Sequence, residues 1–90
     1  MMLSSILLKA YFDKLIKADG LDNRLKVEIG NGEIQTTVEF HLDNYYHYRS
    51  ALWLDEICDV NKDPYEYLSE MYKQAKRHLF LYLKEDMFAV

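Results

Sequence analysis

Ninety residues, half of them apolar and 29% charged, describe one globular domain over 1–90 and exclude a disordered chain. Eleven basic against fifteen acidic residues leave a net charge of −4, which argues against binding nucleic acid by overall charge. One cysteine, Cys58, excludes an internal disulfide framework and a Cys-rich zinc site.

The N-terminal run Met1–Ala10 lacks the basic leading segment of a signal peptide, and its apolar stretch breaks at Lys9. No stretch approaches the ~20 apolar residues of a membrane span. The expectation is a soluble cytoplasmic protein with Cys58 reduced. The first element reads as a helix. Ser4 or Ser5 can cap its start, and Gly20 stands where a left-handed C-terminal cap belongs. Leu3, Leu7, Tyr11 and Leu15 recur every four residues, as do Leu8, Phe12 and Ile16 one position over. Together they predict a wide apolar face that needs a large partner.

A sheet is the natural partner. Leu25, Val27 and Ile29 alternate with Arg24, Lys26 and Glu28, and Asn31-Gly32 follows as a strong hairpin signal. Ile34, Thr36, Val38, Phe40 and Leu42 then alternate with Glu33, Gln35, Thr37, Glu39 and His41. A two-residue turn at Asn31-Gly32 predicts the pairs Ile29 with Ile34, Val27 with Thr36 and Leu25 with Val38. It also assigns Gly30 and Gly32 to the turn.

For residues 43–60, register arithmetic chooses between turns. A two-residue turn at Asp43-Asn44 sets Phe40 against His47 and mixes charge into the apolar face. A loop of Asp43-Asn44-Tyr45 instead sets Leu42 against Tyr46, Phe40 against Tyr48 and Thr36 against Leu52, with Glu39 opposite Arg49. This predicts a third strand over Tyr46 to Leu54. A helix beginning at Asn44 is the alternative, because Tyr45, Tyr48 and Leu52 also fit a helical stripe.

The last element reads as a long helix ending near Glu85. Asp63-Pro64-Tyr65-Glu66 supplies an N-cap, a first-turn proline and an acidic third position. Leu68, Met71, Tyr72, Ala75, Leu79, Tyr82 and Leu83 form one stripe. The fold class is therefore α+β in two layers. A three-stranded antiparallel meander has a helix before it and a long helix after it, in the order α-β-β-β-α, with both helices on one sheet face.

That arrangement leaves the other face of the sheet uncovered. It would carry Arg24, Lys26, Glu28, Glu33, Gln35, Thr37, Glu39, His41, His47 and Arg49, with Trp53 beside Gln35 and Tyr45 nearby. Exposed Trp and Tyr are the material of interface hot spots, since large rings bury area with few rotors to freeze. The candidate partner-binding residues are Gln35, Glu39, Tyr45, His47, Arg49 and Trp53.

His41 and His47 fall opposite each other, with Asp43 close in sequence. Zinc needs three or four ligands and only two are placed by the register, so neither metal nor cofactor is assigned. Cys58 has no fixed basic neighbour and reads as a structural thiol. The basic cluster Lys73, Lys76, Arg77, His78 lies mid-helix. Double-stranded-RNA-binding domains share the element order, but they set their Lys-rich segment at the start of the last helix, which is acidic here. The acidic stretch Asp55, Glu56, Asp59, Asp63, Glu66, Glu70 surrounds Cys58.

No complete catalytic motif is present, so the sequence points to a small, acidic, non-enzymatic binding domain that regulates or inhibits another protein. By size and charge it is similar to nuclease inhibitors carried by phages and other mobile elements. The alternatives are a nucleic-acid-binding module using the last helix, or a chaperone-like homodimer paired through its outer face or an edge strand.

Overall fold

The computed structural model describes residues 5–31, 35–53 and 63–88. Their elements are α1 (Ser5–Ala18), β1 (Leu25–Asn31), β2 (Thr36–Leu42), β3 (Tyr46–Leu52) and α2 (Pro64–Phe88). The strands form one antiparallel sheet in the order β1-β2-β3, and both helices pack on it, α1 along β1 and α2 along β3. This is the α-β-β-β-α meander that the sequence predicts. Among the described residues no helix is long and apolar enough to cross a membrane.

Helix α1 stops because Gly20 takes a left-handed turn, φ 71°. The Gly20 amide then donates to Lys17 O and the Leu21 amide to Ile16 O, both at 3.0 Å, satisfying carbonyls that the helix end would leave unpaired. Leu21 folds back against the core. Leu8, Phe12 and Ile16 are buried, with Tyr11 and Leu15 packed at the margin. Leu7, which the periodicity assigns to the same face, is 49% exposed, because the helix rests on the Leu8–Phe12–Ile16 line.

The first hairpin departs from the predicted register. Leu25 pairs with Leu42, Val27 with Phe40 and Ile29 with Val38, and Gly30 lies within β1 opposite Thr37. A tight turn at Asn31-Gly32 would set Phe40 and Leu42 beyond the start of β1. The observed pairing gives each apolar residue of β1 an apolar partner, and that burial outweighs one favourable turn. The slip is an even number of residues, so each side chain keeps its face. Arg24 and Asp43 continue the ladder: the Asp43 amide donates to Arg24 O at 2.8 Å. The Arg24 guanidinium grips the Asp43 carboxylate at 2.9 and 2.6 Å. A side chain at position 30 would meet Thr37 Oγ1 at 2.5 Å, which accounts for glycine inside the strand.

The second hairpin has the predicted register, Leu42 against Tyr46, Phe40 against Tyr48 and Thr36 against Leu52. Asp43 and Asn44 turn the chain with φ of 56° and 59°, a region these residues enter more readily than most. Residues 46–52 are strand, so the helix alternative does not form. The strand runs to Leu52, and Leu54, where the sequence sets its end, lies outside the described residues.

Asp63 Oδ1 accepts from the Tyr65 amide at 3.0 Å and the Glu66 amide at 3.4 Å, the N-cap that the sequence predicts for α2. The helix continues past Glu85 to Phe88. Leu68, Met71, Tyr72, Ala75 and Leu79 are buried and Leu83 packs at the margin, but Tyr82 is 40% exposed. Phe40 is the hub of the core, edge-on to Phe12 at 5.2 Å and tilted against Tyr72 at 6.1 Å. At one side Tyr11 lies 4.9 Å from the Tyr65 ring and donates to its carbonyl at 3.1 Å.

Candidate functional site

The helices occupy one face of the sheet, and among the described residues no element packs on the other. Alternation along the strands brings Lys26, Glu28 and Gly30 of β1, Thr37, Glu39 and His41 of β2, and His47, Arg49 and Ala51 of β3 to that outer face. The register sorts them into three rows across the sheet: Lys26–His41–His47, Glu28–Glu39–Arg49 and Gly30–Thr37–Ala51.

All six residues proposed from the sequence lie on this face or at its ends. Glu39, His47 and Arg49 are in the rows, with Arg49 and His47 exposed. Gln35 and Trp53 stand one residue beyond the paired segments of β2 and β3, and Trp53 is 49% exposed. Tyr45 occupies the opposite end, in the β2–β3 turn, 71% exposed with its ring against Tyr46 at 4.9 Å. Aromatic rings therefore mark both ends of a mainly polar face.

Two relationships were hidden in the sequence. Glu28 and Glu39 lie directly opposite each other. The two-residue turn would have placed Glu28 against Gln35, so the like-charge pair appears only once the register is known. Such a pair opposes pairing of the strands. Its neighbours temper it: His41 Nε2 is 3.0 Å from Glu39 Oε1 and 3.6 Å from Glu28 Oε2, while Arg49 stays 4.0 Å from Glu39 Oε2.

The second is the third group beside the histidine pair. His41 and His47 are cross-strand partners, their rings edge-to-face with Nδ1 atoms 3.0 Å apart. Asp43, the neighbour in sequence, is committed to Arg24, which holds its carboxyl below the usual value. Glu39 takes the place expected of Asp43, and one ligand atom each from Glu39, His41 and His47 lie within 4.8 Å of one another. The His41 side chain is 19% exposed, and its Nε2 is buried without a well-formed hydrogen bond.

The basic cluster of α2 lies away from this face and is partly neutralised. Lys76 bonds Asp19 at 2.7 Å, Lys73 bonds Glu70 at 3.3 Å, and His78 stacks on Tyr48 with ring centroids 5.1 Å apart. Lys73, Lys76 and Arg77 edge a shallow hollow floored by Leu21 and Phe80. Of the acidic stretch, Asp63 serves as the helix cap. Asp55, Glu56, Cys58 and Asp59 lie outside the described residues.

Compared with protein-family models, with curated proteins and with solved structures, the chain matches none.

Proposed function

We propose that this domain is a non-enzymatic protein-binding module, a regulator or inhibitor that docks the outer face of its sheet onto a basic surface of another protein. The observation that carries this reading is the Glu28–Glu39 pair at the centre of a face that no described element covers. Two carboxylates side by side fit an arginine or lysine of a partner, and a guanidinium can bond carboxylates through parallel N–H groups. Trp53 and Tyr45 at the two ends supply the aromatic anchors that carry most of the affinity in such contacts. The net charge of −4 steers the domain towards positive surfaces. Nucleic-acid-binding enzymes present such surfaces, which fits an antagonist of a nuclease. A flat face open to water offers little of the enclosure that acid–base catalysis uses. The test is partner capture by variants of Trp53 and Glu39, set against a charge change on a helix.

A second reading, a homodimer joined through the β1 edge, has its own support. Arg24 O points towards β2, so by alternation the backbone groups of Val27 and Ile29 point towards the open edge. An antiparallel copy centred on Val27 would set Lys26 against Glu28 and Leu25 against Ile29 at each side. Centring on Lys26 or on Glu28 would instead oppose like charges, so the Val27 register is favoured over those two. Ile6 and Ala10 of α1 edge a groove beside Val27 and Ile29, and Ile6 is 81% exposed. Sedimentation should then show a dimer that Glu28→Lys dissociates and the exchange Lys26→Glu/Glu28→Lys restores. A monomer at every concentration would rule the dimer out.

The nucleic-acid reading has less support, because two of the three cations in the α2 cluster already hold carboxylates of the chain.

A further inference from the structure

The geometry points to a binding site for a divalent transition-metal ion between His41 and His47, and we propose that the two Nδ1 atoms are its ligands. The two rings share one hydrogen. With Nδ1 atoms 3.0 Å apart, one must carry a proton and the other must accept it. If neutral His41 donated, its bare Nε2 would face the Glu39 carboxylate at 3.0 Å, lone pair against negative oxygen. If His47 donates, His41 holds its proton on Nε2, on the side of Glu39 at 3.0 Å and Glu28 at 3.6 Å, and its Nδ1 carries a free lone pair. The carboxylates favour this second tautomer.

That tautomer is the one a metal requires. A ligating histidine commonly presents its other N–H to a carboxylate, which fixes the ring and raises its basicity as a donor. Glu39 lies near that outer nitrogen of His41, with Glu28 beyond it, close enough to favour the proton there by charge though without a formed hydrogen bond. Two nitrogens bound to one tetrahedral zinc lie about 3.3 Å apart, so small ring rotations convert the found separation into a ligand pair. Binding displaces the proton between the rings, and because His47 is exposed that proton passes through water to His47 Nε2, leaving both rings neutral. Imidazole donors favour zinc, copper or nickel over magnesium or calcium. The uncovered face leaves the other coordination positions to water or to a group on a docked partner. The site rests on the β2–β3 register and does not depend on the docking reading.

The experiment is calorimetric titration of Zn²⁺ into the full chain without a histidine tag, with Mg²⁺ as the control ion. One saturable Zn²⁺ per chain is expected, with no Mg²⁺ response. His47→Ala should abolish it, His78→Ala should leave it intact, and Glu39→Gln should weaken it about tenfold or more. Circular dichroism checks that the variants fold, and the exposed position of His47 makes that variant the decisive one. Absence of saturable Zn²⁺ binding, or equal binding by His47→Ala, would overturn the site and show uptake by scattered surface carboxylates at most.

Discussion

The Tyr72 hydroxyl donates to Asp19 Oδ2 at 2.6 Å, and Lys76 Nζ reaches the same oxygen at 2.7 Å. One carboxylate just past α1 thereby ties that helix to the middle of α2. The Lys76 hydrogen bond, followed by that from Tyr72, holds the Asp19 carboxyl below its ordinary value of 3.8. Burial and then the Asp19 bond push the Tyr72 hydroxyl well above its own. A depressed carboxyl stabilises the fold above its unfolded pKa, and that contribution is lost as pH falls through the folded value. Asp19→Asn should therefore melt a few degrees below the parent at neutral pH, with the gap closing on acidification below about pH 4. Thermal melts across that range check it. A gap independent of pH would mean that the carboxylate charge contributes nothing.

Phe12 supplies the largest side chain of α1 to the core and meets Phe40 edge-on. Truncation to alanine leaves a cavity under the sheet and should cost about 3–5 kcal/mol. Domains of this size have only about 5–15 kcal/mol in total, so the variant should lie near its unfolding midpoint at much lower denaturant. Urea titration followed by circular dichroism measures the loss.

Gly20 has open space around it, with no atom beyond its own chain neighbours within 4 Å of the place a β-carbon would take, yet its φ is 71°. Gly20→Ala should cost about 1 kcal/mol from backbone conformation alone. Gly20→Asn should recover part of that, since Asn tolerates the left-handed region. Equal stability of the glycine and alanine forms would show that the α1 terminus relaxes elsewhere.

Much of this fold could be read from periodicity. The line Leu8–Phe12–Ile16, the Asp63 cap and the alternation of Val38, Phe40 and Leu42 each report a local rule, and each holds. The first register could not be read locally. Asn31-Gly32 favours a tight turn, but the pairing of Leu25 with Leu42 is set by burial against two helices that a strand pattern does not contain. The candidate site inherited that error. The His41–His47 pair was visible because the second hairpin is fixed by its three-residue loop, whereas Glu28 opposite Glu39 depended on the register that slipped. Tyr82 shows the limit of a helical stripe: it has the spacing of the core face but is partly exposed.

The opposed glutamates also carry a prediction about stability. If Glu28 is kept for binding, the fold should improve without its charge. Glu28→Gln should raise the melting temperature slightly by relieving the repulsion from Glu39, while weakening partner capture. A fall in melting temperature would mean that the His41 contact to Glu28 outweighs the repulsion.

The most direct test of the outer face as the working surface is quantitative capture from nuclease-treated host lysate, with the parent chain and three variants compared side by side. One protein should be recovered in near-equal amount with the parent and with Lys14→Glu on α1. That protein should be lost with Trp53→Ala and with Glu39→Lys, while circular dichroism stays unchanged. Undiminished recovery by both face variants would show that the outer face is not the docking surface.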